Sequence, residues 1–230
     1  MASVAPGTLY VVATPIGHLD DCSARAVETL RSVALIAAED TRHTRRLLER
    51  YGLRVPMVSF YDAVERPRTA ELLHRLQRGE PVALVSDAGT PGIADPGGHL
   101  IPRAIEAGVP VVAIPGPCAA IAALVVSGLP MDRFVFEGYL PVKPGKLRHR
   151  LGALRTESRT IVCFETPHRL VKTLTAIREV LGDVRMSVAR ELTKQFEEVR
   201  RGPASEHLAH FTEHPPRGEF VLVLRAEGGT

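Results

Sequence analysis

Three stretches of the chain combine residue types suited to holding a ligand by main chain. They are Ala13-Thr14-Pro15-Ile16-Gly17, residues 86–98 (which include Asp87, Gly89, Thr90 and Ile93), and Pro115-Gly116-Pro117-Cys118-Ala119-Ala120. Glycine and proline at this density fix the backbone and let a ligand approach N–H and C=O groups closely. One such stretch reads as a tight turn; three at one sheet edge read as a binding site. The chain has no G-x-G-x-x-G, no G-x-x-x-x-G-K-[ST], no H-E-x-x-H and no G-x-S-x-G. Hydride transfer, phosphoryl transfer and serine hydrolysis therefore lack their usual signatures. Cys22, Cys118 and Cys163 form no C-x-x-C pair, which argues against a zinc site or disulfide framework and fits a reducing cytosol.

A second pattern is basic. Arg42, Arg46 and Arg50 recur at four-residue spacing, one stripe of a helix. Residues 138–156 hold Lys143, Lys146, Arg148, Arg150 and Arg155 with no acid, and read as a mobile basic loop entering a helix. The formal net charge is only +3, so it is the placement of the charges that points to phosphates. With no Trp and no RNP aromatic signature, structured RNA read by shape fits better than base stacking on an RRM-type module.

The elements that must position these residues alternate in the first half. Strands are expected over residues 8–14, 33–37, 56–60, 81–86 and 110–114. Helices are expected over 23–32, 41–51, 68–78, 98–107 and 119–126. Runs such as Val82-Ala83-Leu84-Val85 are apolar at every position, the mark of a parallel sheet covered on both faces. Ligands of such sheets bind beyond the carboxyl ends of the strands. The second half offers strands over 134–139, 159–164, 184–190, 197–201 and 219–224, with two clear helices, 168–181 and 205–211. Some of these neighbours must therefore be antiparallel. The expectation is two α/β domains, residues 1–127 with a mostly parallel sheet and 128–230 with a mixed one, joined near 127–131. Residues 108–131 carry no charge but are broken by Pro110, Pro115, Gly116, Pro117, Gly128 and Pro130, which suits a buried strand, turn and helix and not a membrane span. Residues 1–7 lack the basic start and apolar run of a secretory signal, so the protein is expected in the cytoplasm.

Ordered motifs then carry a resemblance. To the three loops are added Ala37-Ala38-Glu39-Asp40-Thr41-Arg42-His43-Thr44-Arg45, Ser127-Gly128-Leu129-Pro130 and Phe164-Glu165-Thr166-Pro167-His168-Arg169. Ala189-Arg190-Glu191-Leu192-Thr193-Lys194 and Gly218-Glu219-Phe220-Val221-Leu222-Val223 complete the set. Over nearly its whole length the chain resembles the tetrapyrrole-methylase superfamily of S-adenosylmethionine-dependent methyltransferases. Within it, the match is to the branch that methylates the ribose 2′-hydroxyl of a cytidine in the 16S rRNA decoding region. The chain departs from that pattern at His18, at Cys118 and over residues 60–64.

The resemblance implies a tetrapyrrole-methylase-like α/β architecture with the active-site cleft between the two domains. It also implies S-adenosylmethionine as donor without a metal, 16S rRNA or the small ribosomal subunit as partner, and a homodimer. The donor contacts it implies are Pro15, Asp87, Gly89, Thr90, Ile93, Cys118, Ala119, Leu129, Phe164, Ala189 and Gly218. A ribose hydroxyl is a poor nucleophile, so a base or a cation at the developing alkoxide helps. Glu165, His168, Glu191 and Lys194, at or just beyond expected strand ends, are the candidates. Arg42, Arg46, Arg50, Lys143, Lys146, Arg148 and Arg150 are expected to meet RNA. Two rival readings are methylation of a tetrapyrrole carbon and a non-catalytic RNA-binding ribosome-assembly protein that keeps the fold. The basic segments favour RNA over the first, and the complete set of donor loops favours catalysis over the second.

Overall fold

The computed structural model describes residues 4–226; residues 1–3, part of the segment read above as lacking a signal, and residues 227–230 lie outside it. The chain divides into two units, Met1–Cys118 and Ala119–Thr230.

The first unit is built on strands β1 (Leu9–Val12), β2 (Leu35–Ala38), β3 (Met57–Ser59), β4 (Val82–Val85) and β5 (Val111–Ile114). They pair in the order β3-β2-β4-β1-β5, every pairing parallel. Successive residues of a strand face opposite sides, and here both sides are covered. Tyr10, Val12, Ile36, Ala38, Ala83 and Val85 pack with Ala26 and Leu30 of α1 (Ala24–Ser32) and Leu47 and Leu48 of α2 (Thr41–Arg50). Leu9, Leu35, Ala37, Val82 and Leu84 pack with Leu72 and Leu76 of α3 (Asp62–Gln77) and Leu100 and Ala104 of α4 (Leu100–Glu106). Uniformly apolar strands are the consequence. Three neighbouring strands, β4, β1 and β5, deliver the three Gly/Pro-rich loops to one edge of the sheet.

Helix α3 starts at Asp62, ahead of Pro67, where the sequence places its start after the proline. An interior proline forfeits a helical hydrogen bond, but the extra turn brings Glu65 to the start of α4. There its Oε1 accepts from the N–H groups of Gly97 (3.1 Å), His99 (2.9 Å) and Leu100 (3.4 Å). A carboxylate on otherwise orphaned N–H groups is stabilising.

The second unit begins with α5 (Ala119–Val125), which packs against β7 (Thr160–Glu165) and β10 (Phe220–Leu224). The division therefore falls at 118/119, ahead of the 127–131 join expected from composition. With β6 (Phe134–Tyr139), β8 (Arg185–Arg190) and β9 (Glu198–Pro203) the sheet order is β6-β7-β10-β8-β9. Only the β6–β7 pairing is parallel. Besides α5, three helices pack with it in one apolar cluster: α6 (Pro144–Leu154), α7 (Pro167–Leu181) and α8 (Ala204–Glu213). Helix α6 is the helix that the basic loop was read as entering, and it takes up most of that segment, from Pro144 onward. Its Leu147, Leu151 and Leu154, at four- and three-residue spacing, are buried beneath the basic residues that dominate the stretch. Among the described residues no helix is long and apolar enough to cross a membrane.

Candidate active site

In the first unit the three loops are knitted together by main chain. Thr14 N donates to Gly89 O (2.8 Å) and Gly89 N to Thr14 O (3.1 Å), a two-way bridge between the loops after β1 and β4. The Thr14 hydroxyl also donates to Ser86 O (3.1 Å), and the Thr90 hydroxyl to Pro117 O (3.2 Å). Two glycines make this closeness possible. Gly89 has φ +86°, a region that L side chains rarely adopt. At Gly116 a Cβ would lie 3.0 Å from the Ala13 Cβ. The three loops are thus drawn together through backbone and small side chains. Pro15 is buried among them, Thr90 and Cys118 are half-buried, and Ile93 is exposed. Ala119, the first residue of the second unit, is half-buried as well.

Asp87 has a structural task in this edge. Its Oδ1 accepts from Asp40 N (3.0 Å), while its own N–H donates to Glu39 Oε2 (3.0 Å), so β4 and β2 are tied at their carboxyl ends. The site is acidic. Burial raises the Glu39 carboxyl above its ordinary range, opposed by the Asp87 N–H and reinforced by the charges of Asp87 and Asp62. Burial also pushes Asp95 up to about 6, opposed by the Ser86 hydroxyl and reinforced by Glu39, Asp87 and Asp62. Sequence reasoning did not single out Glu39 or Asp95 as charged site residues. Their proximity arises only when β2 and β4 pair.

The sign of the Asp95 effect is fixed. Between its ordinary pKa of 3.8 and about 6 the folded chain keeps a proton that the unfolded chain has released. Stability from this group is therefore lost as pH rises through that window. Asp95→Asn should be insensitive there, so thermal melts from pH 4 to 7.5 should show the variant gaining on the parent. Parallel curves would refute the assignment.

In the second unit Phe220 lies opposite both Glu165 and Arg190, so the loops after β7 and β8 and before β10 share one edge. Lys194 Nζ donates to Glu191 Oε1 (2.9 Å) and Glu219 Oε2 (2.8 Å), and Glu191 Oε1 also accepts from Glu219 N (2.9 Å). Burial opposes both charges, but the pairing outweighs it: the ammonium sits above its ordinary pKa and Glu191 below its own. Lys194 is a fixed cation and not a base. Gly218 is the packing partner of this cluster: a Cβ there would lie 2.5 Å from Glu191 Cδ.

Of the candidates for handling the proton, Glu191 and Lys194 meet; Glu165 and His168 do not join them. The Glu165 carboxylate is enclosed and committed to the start of α7, accepting from Thr166 N (2.7 Å) and the Thr173 hydroxyl, with Arg169 Nε at 3.3 Å. Fully engaged, it is a structural carboxylate. His168 is exposed in the first turn of α7. Phe164 stands edge-on to Phe136 (ring centroids 5.0 Å apart) and Tyr139 (5.7 Å), a half-exposed aromatic wall. Leu129 is half-buried, its N–H held by the Ser127 hydroxyl, whereas Ala189 is covered by protein and presents no side-chain surface to a ligand. Glu219, which completes the Lys194 cluster, was missed as a site residue. Its position directly after Gly218 was its only sequence signal.

The basic residues divide as well. Arg42 pairs with Asp40, Arg50 with Asp20, Arg148 with Glu179 and Arg150 with Glu137. No ion pair among the described residues engages Arg46, Lys143 or Lys146. Nor do the described residues contain a group of three or more His, Cys, Asp and Glu able to hold a metal ion.

The first sheet is thus all parallel, the second is mixed, and three loops joined by main chain stand at the carboxyl edge of the first. The family model of the tetrapyrrole (corrin/porphyrin) methylases matches residues 8–207, and the chain belongs to that family. Proteins named ribosomal RNA small subunit methyltransferase I are similar to it along nearly its whole length. That of Synechocystis sp. is 53% identical over 95% of this chain and 78% of its own. That of Thermotoga maritima is 47% identical over 95% of this chain and 98% of its own. The fold recurs in diphthine synthase (TM-score 0.73, 18% identity, covering 96% of this chain and 90% of that one). It recurs too in uroporphyrin-III-C-methyltransferase from Thermus thermophilus (TM-score 0.65, 21% identity, 94% of each chain).

Proposed function

We propose that the protein is an S-adenosylmethionine-dependent rRNA methyltransferase that methylates the ribose 2′-hydroxyl of a cytidine in the decoding region of 16S rRNA. The observation that carries this reading is the near-complete likeness, at 53% and 47% identity, to proteins named for small-subunit rRNA methylation. The site's chemistry agrees. Loops joined by main chain, with Gly89 in the left-handed region and Gly116 packed too closely on Ala13 to carry a Cβ, fit a flexible donor bound by backbone groups. The acidic carboxyl edge holding Glu39 and Asp87 favours a donor that carries positive charge on sulfur and nitrogen. When bound, the donor supplies an electrophilic methyl group.

The chain's own residues have two tasks. The loops hold the acceptor oxygen, methyl carbon and sulfur in line, and such positioning supplies much of the acceleration. Lys194, fixed by Glu191 and Glu219, is the cation assigned to the negative charge that develops on the acceptor oxygen. The new O–C bond forms as the C–S bond breaks, and the electron pair stays on sulfur. The hydroxyl proton passes to water ahead of that bond formation, so the attacking oxygen carries the negative charge that Lys194 meets.

Phosphate binding is assigned first to Arg46, Lys143 and Lys146, which pair with no carboxylate among the described residues. Exposed pairs such as Arg148–Glu179 are weak and can exchange a carboxylate for a phosphate. Replacing Arg46, Lys143 and Lys146 by Ala should weaken RNA binding and reduce its salt slope by about one for each phosphate left unneutralised. An unchanged slope removes these residues from the interface. The function itself is tested with labelled donor and small subunits lacking the modification. Label in an alkali-resistant dinucleotide containing cytidine is expected; donor binding without transfer to subunits or free rRNA would point to a small-molecule acceptor instead.

A further inference from the structure

The loop between β8 and β9 holds a large aromatic side chain out in solvent: Phe196 is 63% exposed, more than Tyr139 at 51% or Tyr61 at 43%. Its sequence neighbours Gln195 and Glu197 are exposed and polar, so it is a single ring among polar groups and not part of a continuous apolar strip along this loop. The backbone that carries it is held on both sides. Glu191 has φ +48° and Thr193 φ +65°, two non-glycine residues in the left-handed region within three positions. Such conformations persist where the surroundings over-determine them, and they gather at functional sites. Here the surroundings are explicit. Lys194 N donates to Glu191 O (3.0 Å), Glu197 N to Lys194 O (3.1 Å) and Thr193 N to the Glu197 carboxylate, while the Lys194 ammonium clamps Glu191 and Glu219. The loop thus fixes an exposed π-face two residues from the cation.

We propose that Phe196 is a stacking platform for a base of the RNA substrate, at or beside the nucleotide whose ribose is methylated. The proposal rests on the RNA reading above. A planar apolar ring flanked by polar groups and held two residues from Lys194 matches a nucleotide, which offers a π-face beside its ribose hydroxyl. Stacking of this kind tolerates any base and supplies binding where bases are splayed from their helix. In this role Phe196 is a positioning residue, holding the sugar in register with Lys194.

The experiment is steady-state methylation of unmodified small subunits by the parent enzyme, Phe196→Ala and Phe196→Trp, with donor affinity by calorimetry, thermal melts and sedimentation alongside. Phe196→Ala should raise KM for subunits about tenfold or more, with donor affinity and melting temperature unchanged. Phe196→Trp should stay within about threefold of the parent, because it keeps a π-face. An unchanged KM in Phe196→Ala, or failure of the tryptophan variant alongside it, overturns the platform while leaving the RNA reading intact. A shift in sedimentation that accompanies the loss of activity also overturns it, in favour of a contact between copies of the chain. Absence of transfer by the parent enzyme itself overturns both readings.

Discussion

Gly218→Ala is expected to lower methyl transfer by about a hundredfold or more, while the melting temperature falls by only a few degrees. The backbone part of the cost is the left-handed conformation at φ +87°, roughly 1–2 kcal/mol for any residue with a Cβ. The larger consequence is local. The new Cβ would lie 2.5 Å from both Cγ and Cδ of Glu191, so the carboxylate must leave the position in which it receives Lys194 and the Glu219 N–H. Gly182 is the control. Its φ is +89°, yet nothing lies within 4 Å of a Cβ built there. Gly182→Ala should show a similar drop in melting temperature with normal activity. If both variants lost activity alike, or neither did, the Glu191 contact would not be what Gly218 protects.

Lys194→Met separates binding from chemistry. Loss of one preorganised group at the developing charge typically costs about 10²- to 10³-fold in kcat, and that is the expected loss, with donor affinity unaltered. Removing the cation also leaves the Glu191 and Glu219 carboxylates without their shared partner, which should raise the Glu191 pKa from its lowered value. Because the parent ammonium is held above its ordinary pKa, its charge is constant through neutral pH, and the rate should show no limb there belonging to Lys194. A kcat within a few-fold of the parent would place Lys194 in the scaffold alone.

The central strands of the first sheet were legible because both their faces are covered, and Val82-Ala83-Leu84-Val85 is buried at every position. The three Gly/Pro-rich loops were legible because glycine and proline act through local backbone geometry. What stayed hidden depends on residues distant in sequence. The first turn of α3 is held by Glu65 reaching the start of α4, a tie that outweighs the signal of Pro67. The enclosure of Glu165 requires the Thr173 hydroxyl a helix turn and more away. The basic segment read as free of acid, yet the sheet and α7 supply Glu137 and Glu179 to Arg150 and Arg148. Charge runs are local; their neutralisation is tertiary.

The strand order of the first unit also bears on how the chain is made. β1 lies between β4 and β5, so Leu9 aligns with Val82 on one side and Val111 on the other. During synthesis the N-terminal strand has no partner in its sheet until Val82–Val85 has been added, and its second flank stays open until Val111–Ile114 follows. Its pairings are therefore among the most non-local in the unit. Such an arrangement folds slowly and leaves an apolar strand exposed in the meantime. Of the strands in this sheet, the one made first is thus among the last to be enclosed.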